Sequence, residues 1–307
     1  MPNKIKRKYR SVDAVSLPAE ISIHLVVGAF AIACILPFIF VIIISFTDES
    51  AIATYGYQLL PNAWSLDAYR YVFEAGAQLV RSYFVSFSVT IGGTVLSLIV
   101  TCLYAYALSR RDFKLRGFFT FFIFFTMLFS GGLVPFFIMV RNVLGLANTP
   151  WALILPLLLS PFNVIVMRTF FATSIPESLI EAASIDGSGE YRTLLQIVLP
   201  LAKPGIATIG LLTALAYWND WFNAMLFIDN ADWIPLQYLL MRIERETEFM
   251  IRNAGLGGAH MAELIRGLPR ESMRMAIVVL TVTPIAMAYP FFQRYFISGL
   301  TIGAVKG

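Results

Sequence analysis

Six long apolar stretches, near residues 22–46, 83–108, 117–140, 151–171, 205–228 and 275–297, constrain this chain more than anything else in it. A helix needs about 20 mostly apolar residues to cross the hydrocarbon core of a bilayer, and each stretch meets that length. A helix also pairs its own backbone groups, the condition for residing where no water competes. A membrane barrel would instead show ~10-residue segments of alternating polarity, and these runs are continuous. With 58% of 307 residues hydrophobic and 14% charged, the fold class is an all-α polytopic membrane protein with six transmembrane helices.

Charge orients the spans. Lys4, Lys6, Arg7, Lys8 and Arg10 lie in a basic N-terminus, 1–20, ahead of the first span at 21–46. That span has a long apolar core and no small-residue cleavage site before Asp48 and Glu49, so it is read as retained and not as a signal peptide. Arg110, Arg111, Lys114 and Arg116 cluster after the second span, and Arg168, Arg192 and Lys203 follow the fourth. The outward segments 47–82 and 141–150 hold only Arg70, Arg81 and Arg141. Segment 229–274 is rich in arginine and equally in carboxylates, and long loops obey the positive-inside rule weakly. Both termini are thus expected in the cytoplasm. The net charge of +4 is a topology signal, and no basic aromatic stretch points to nucleic acid.

Between the fourth and fifth spans lies EAASIDGSGEYRTLLQIVLP, residues 181–200. Its local chemistry predicts two short helices with a break. Pro176 suits a first turn, Asp186-Gly187 supplies a stop, and Ser188 is placed to cap the second helix. Tyr191, Leu194, Leu195 and Val198 fall on one helical face until Pro200 ends the second limb. Gly187 is expected where the backbone needs a close approach or a positive φ. The same residues also fit an ordinary cytoplasmic hairpin.

The spacing Glu181-Ala182-Ala183, three residues, Gly187, nine residues, Ile197, one residue, Leu199-Pro200 resembles the EAA motif of permease subunits in binding-protein-dependent ABC importers. The resemblance implies a MetI-like permease core over 83–297 and a cytoplasmic coupling loop at 174–203 that docks into a cleft on a separate ATPase subunit. Glu181 would anchor it, Ala182 and Ala183 would permit tight contact, and Asp186, Gly187, Ile197, Leu199 and Pro200 would complete the coupling set. Residues 104–117, residues 133–155 and the terminal GLTIGAVKG further resemble MalG-like permeases of the carbohydrate uptake class. In that class the tail, 298–307, reaches between two ATPase subunits, which places Gly299, Gly303, Lys306 and Gly307 at their interface. Three glycines and little bulk make the tail thin and flexible, though a frayed terminus reads the same way.

The resemblance implies several partners: a second permease forming a heterodimer, two ATPase subunits, an extracellular solute-binding protein, a saccharide and a bacterial plasma membrane. The outer segment 229–274 would meet the binding protein, with Asp232-Trp233, the mixed charges of 242–248 and the glycines of 255–258 as its features. Its charges equally fit i,i+4 pairs on a solvated helix face. No cofactor is implied for this chain. It carries no phosphate-binding GxxxxGK[ST] loop and no HExxH, so ATP and Mg belong to the ATPase. His24 and His260 are too isolated for a metal site or a catalytic triad, so no catalytic role is assigned. Cys34 and Cys102 lie within spans as small apolar residues.

Polar residues inside spans mark the candidate substrate path, because they cost energy unless they face a cavity or one another. The fourth span carries Ser160-Pro161-Phe162-Asn163, with Pro161 expected to kink the helix. The fifth carries Tyr217 to Asn223, with Asn219 and Asn223 on one face at i,i+4 and Asp220 beside Asn223 at i,i+3. Trp218, the amides and the carboxylate offer the flat apolar surfaces and hydroxyl partners a sugar ring needs. An interfacial aromatic belt with interhelical hydrogen bonds is the alternative. Two rival classes are a non-sugar ABC permease, for peptides or amino acids, and a secondary transporter. The second would show inverted repeats and intramembrane charges, and only Asp220 offers such a charge.

Overall fold

Helices form in all six apolar stretches, and the breaks within three of them shape everything else. The computed structural model describes residues 17–74, 76–253 and 269–304. Three single helices are long and apolar enough to span a bilayer: α1 (Leu17–Ser45), α4 (Ala77–Ser109) and, through Pro290, α15 (Arg270–Ala304). The other three stretches are bent pairs.

The third stretch, expected as a span over 117–140, is helical with a sharp break. α5 (Arg116–Leu128) turns by 113° into α6 (Leu133–Ile138), which a π-helical turn extends to Val143. Gly131-Gly132 causes the break: Gly132 sits at φ +85°, a conformation a side chain resists. In the fourth stretch α7 (Trp151–Ile154) and a tight turn to Leu157 meet α8 (Pro161–Ser174) at 52°. The bend expected at Pro161 is present, as a break after which Pro161 starts α8. Ser160 caps it, its hydroxyl accepting the Asn163 N–H at 3.5 Å, and proline costs nothing in a first turn, where no N–H is needed.

The fifth stretch ends as a helix at Trp218. α12 (Lys203–Trp218) stops, and α13 (Phe222–Phe227) begins after a short break. Asp220 causes the restart by accepting the Asn223 backbone N–H at 3.1 Å and its side-chain amide at 2.8 Å. Asn219 and Asn223 therefore do not share one helical face.

The chain divides into two units. The smaller comprises residues up to Tyr69 together with Pro269–Val279. Here α1 is exposed along nearly its whole length, as befits a helix meant for lipid. Asp48 caps α2 (Glu49–Tyr55) by accepting the Ser50 and Ala51 N–H groups. Thr47 and Trp64 form an isolated antiparallel bridge, and Phe46 stacks on Tyr69 at 4.8 Å. The Glu49 carboxylate accepts the N–H groups of Glu271 and Ser272 at 3.0 and 3.1 Å, so it caps the start of α15. Tyr57 donates its hydroxyl to Glu271 at 2.8 Å.

The larger unit, Arg70–Leu268 with Leu280–Gly307, is built on α4. Its core joins Ala105, Leu108 and Tyr106 of α4 to Ile123 of α5, Met167 and Phe171 of α8, Leu194 and Val198 beyond, and Ile209 of α12. Between lipid-immersed helices packing, not exclusion of water, holds the bundle, and small residues let backbones approach. Gly93 is such a point: a Cβ there would lie 2.6 Å from the Tyr217 ring. Tyr217 in turn donates to the Ile154 carbonyl at 2.8 Å. α3 (Asp67–Phe73) precedes α4, and α14 (Leu236–Arg252) follows α13. α14 carries the expected i,i+4 pair Arg242–Glu246 at 3.4 Å, while Arg81 of α4 pairs with Asp232 ahead of it. The glycines at 255–258 lie outside the described residues.

Candidate functional site

The elbow begins with Pro176, which immediately precedes α9 (Glu177–Ile185). α9 closes as its sequence predicts. The Ser188 N–H reaches the Ala183 carbonyl at 2.9 Å and the Gly187 N–H reaches Ser184 at 3.1 Å, with Gly187 left-handed at φ +78°. A Cβ on Gly187 would meet none of the described residues within 4 Å. The glycine is therefore required by its positive φ and not by close approach within this chain.

The second limb is α10 (Glu190–Thr193), a π-helical turn Leu194–Val198, and α11 (Leu199–Leu201). One expectation changes here: the cap position is Gly189, and the Ser188 hydroxyl instead meets that of Thr193 at 3.2 Å. The limb closes at Pro200 as expected, ending one residue on at Leu201, where the chain bends by 83° into α12. The π-helical turn shifts the register of the limb. Thr193, Leu194 and Val198 face the core, whereas Tyr191 and Leu195 are 77% and 62% exposed, so the predicted single face splits.

Glu181, Ala182, Asp186 and Gly187 lie exposed, and so does Pro200. Ala183 points inward and is buried, and Leu199 packs against the core, so these two motif residues hold the elbow's own shape. Ile197 is half-buried. The sequence reading missed Ile185, which at 86% exposure is the most naked large apolar side chain of the elbow. An exposed isoleucine flanked by Asp186 and Gly187 is a knob for a partner surface.

A polar network at the elbow's root was also missed. Tyr106, buried near the C-terminal end of α4, donates its hydroxyl to Glu190, the first residue of α10. Arg110 lies 3.7 Å from the other Glu190 oxygen and 3.3 Å from Asp112. These groups line a cavity of about 540 Å³ with Leu103, Phe113 and Tyr191. Arg168 of α8 donates to the Leu108 carbonyl at 3.3 Å, so α8 is tied to the same end of α4. Movement of the elbow's second limb must displace the end of α4 or break a charge-assisted hydrogen bond.

Hydrogen bonds join the proposed path residues only as two local pairs, Ser160 with Asn163 and Asp220 with Asn223. Asn163 is buried and donates to the Thr213 hydroxyl at 3.2 Å. Trp218 is buried, its indole N–H on the Thr281 carbonyl at 3.1 Å. Ser160 caps α8, and Asp220 binds Asn223. Only Asn219 among the six is exposed. At the other end of the bundle left-handed Asn148 (φ +60°) accepts the N–H groups of Asp229 and Asn230 at 2.6 and 2.9 Å, a clasp no sequence pattern announced. In the tail, Gly299 and Gly303 lie within α15, which continues to Ala304, where a thin flexible segment was expected. Two glycines cost about 1 kcal/mol each in a helix, too little to stop one already nucleated over many turns. Lys306 and Gly307 lie outside the described residues.

Broken apolar helices around an exposed inter-span elbow define the class: a multi-pass membrane permease subunit. The chain belongs to the family described as binding-protein-dependent transport system inner membrane component, which it matches over residues 93–302. It is 42% identical over 281 residues to the polygalacturonan/rhamnogalacturonan transport system permease protein YtcP of Bacillus subtilis, covering 91% of this chain and 94% of that one. It is 30% identical over 292 residues to the trehalose/maltose transport system permease protein MalG of Thermococcus litoralis, covering 93% and 97%. Among solved structures it resembles a chain of a bacterial ABC transporter involved in the import of the acidic polysaccharide alginate. That match has a TM-score of 0.75 and 33% identity and covers 91% of this chain and 96% of that one.

Proposed function

We propose that this chain is the permease subunit through which a saccharide, delivered by an extracellular binding protein, enters the cell. It works beside a second permease, and two ATPase subunits that bind ATP and Mg drive it through the elbow. The observation that carries this reading is the elbow itself: a motif-bearing hairpin whose Glu181, Ile185, Asp186 and Gly187 stand exposed while its root is tied into the core. The saccharide assignment is supported by relatives whose names specify saccharide transport.

In the proposed cycle closure of the ATPase pair on ATP moves the elbow, and the Tyr106–Glu190–Arg110 network carries that displacement into α4. Alternating access follows, with hydrolysis resetting the path. The elbow and both termini lie in the cytoplasm. The path residues are fewer than the sequence implied: Asn219 remains a candidate for solute contact, and Asn163 and Trp218 act as interhelical hydrogen-bonding groups.

The test is ATP hydrolysis by the assembled importer in proteoliposomes, with its binding protein and a panel of acidic and neutral oligosaccharides, peptides and amino acids. Stimulation by a saccharide that requires the binding protein is expected. Stimulation by peptides or amino acids alone would overturn the saccharide assignment and leave the coupling scheme standing.

A further inference from the structure

Among the described residues Asn148 is the single non-glycine residue with a positive φ, at +60°. A side chain makes that region costly, and asparagine enters it more readily than most residues. Such outliers persist where the surrounding structure fixes them, and they gather at functional sites. Three hydrogen bonds fix this one, all to the end of the fifth stretch. The Asn148 N–H donates to the Phe227 carbonyl at 2.9 Å. The side-chain oxygen accepts the N–H groups of Asp229 and Asn230 at 2.6 and 2.9 Å. The clasp lies at the start of α4, where Gln78 donates to the Ala231 carbonyl at 2.8 Å, whereas the elbow network holds the other end of α4.

Three broken stretches meet at this clasp. Arg141, in the π turn that extends α6, reaches Asp229 at 3.4 Å and lies over the Phe137 ring. Phe137 of α6 stacks on Phe227 of α13 at 5.8 Å, and α7, just beyond Asn148, packs against α13. α6, α7 and α13 are each separated by a break from the rest of their own stretch. Fastened to one another at 148 and 227–230, they can shift together relative to the helices that lead to the elbow. Segment 229–274, expected to meet the binding protein, leaves the bundle from the same clasp. A displacement of that segment enters α13 through the chain, and the clasp passes it on to α6 and α7.

We infer that Asn148 is a positioning residue for transport: it makes the outer parts of three broken spans move as one body when the loaded binding protein docks. The inference rests on the transport reading given above. The two fail differently. Wild-type hydrolysis indifferent to the binding protein would overturn the transport reading and this inference with it, whereas a stimulated wild type with an unaffected Asn148 variant would overturn this inference alone.

The experiment is ATP hydrolysis by the importer in proteoliposomes, titrated with its solute-loaded binding protein, for the wild type, Asn148→Gly and Asn148→Asp. Glycine keeps the positive φ and removes the acceptor; aspartate keeps the acceptor and tolerates the conformation. Two lost hydrogen bonds together correspond to about fivefold or more. Maximal stimulation of Asn148→Gly should fall by that factor at an unchanged half-saturating concentration of binding protein, and Asn148→Asp should recover most of it. Equal losses in the two variants, a raised half-saturating concentration with full stimulation, or an equal loss of hydrolysis without binding protein would each overturn the inference. If Asn148→Gly fails to assemble, hydrogen exchange of the wild-type importer decides. Docking of the loaded binding protein should change amide protection in 144–149 and 227–233 together, and a change in 227–233 alone would overturn the inference.

Discussion

Tyr106 at the end of α4 donates its hydroxyl to Glu190 at the start of the elbow's second limb, although 84 residues separate them in the chain. The bond is charge-assisted, and Arg110 braces the same carboxylate. A hydrogen bond to a charged group is worth about 1.5–3 kcal/mol, enough to make two helix ends move together. Tyr106→Phe should leave assembly intact and lower transported solute per ATP hydrolysed by about threefold to tenfold. Glu190→Gln should do the same, and the double variant should be no worse than either alone. Additive losses would show that the two residues act separately.

Gly187 should tolerate substitution according to φ and not to size, as far as this chain is concerned. Asparagine visits the left-handed region more readily than a β-branched residue. Gly187→Asn should keep the melting temperature within a few degrees, and Gly187→Val should lower it, by about 1–2 kcal/mol of backbone strain. Because a Cβ there would meet none of the described residues within 4 Å, loss of transport in a stable Gly187→Asp variant points to a partner surface. Normal uptake by Gly187→Asp would remove the elbow from the mechanism.

At Gly93 the prediction is overpacking. A methyl group placed 2.6 Å from the Tyr217 ring must push α4 and α12 apart, at about 1–3 kcal/mol. Gly93→Ala should lower thermal stability, and Tyr217→Leu should partly restore it. A Gly93→Ala protein as stable as the wild type would contradict the close approach.

Asn163 and Thr213 give a subtler test. Interhelical hydrogen bonds of this kind average about 0.6 kcal/mol in membranes. Asn163→Ala and Thr213→Val should each lower the melting temperature slightly, with non-additive effects, and leave the solute profile unchanged. A shift in solute preference would return Asn163 to the translocation path.

Asp48 supplies a pH dependence. Its side-chain hydrogen bond to Ser50, joined by the Ser50 and Ala51 backbone N–H groups, holds the carboxyl below its ordinary value of 3.8. A depressed folded value means the contribution is present above the ordinary value and is lost as pH falls through the folded one. Protection of the amides in α2, measured by hydrogen exchange, should weaken below about pH 4. Asp48→Asn, which caps without titrating, should remove that weakening.

What the sequence made legible was whatever is written locally. Apolar length located all six stretches, Asp186-Gly187 marked the stop of α9, and fixed spacing brought out the EAA resemblance. The breaks were half-legible. Gly131-Gly132 is a strong local signal, but a run of phenylalanines on either side masks it in any length-based reading. The π turn at 194–198 has no residue signature, so the face of the second limb was misassigned and with it the exposure of Tyr191 and Leu195. Tyr106–Glu190 and Asn148–Asp229 join distant segments, and neither composition nor period encodes such pairs. Asn163 and Trp218 are expected on the substrate path, and both hydrogen-bond a neighbouring helix, because polarity inside a span has two uses, lining a cavity and bonding a neighbour. Only packing distinguishes them.

The elbow's engagement with an ATPase subunit is the central claim, and Ile185 tests it most directly. A photo-reactive phenylalanine at position 185, in the assembled importer, should cross-link to the ATPase subunit, and the yield should change when ATP is bound. Cross-links to lipid or to the extracellular binding protein, with none to the ATPase, would contradict the account.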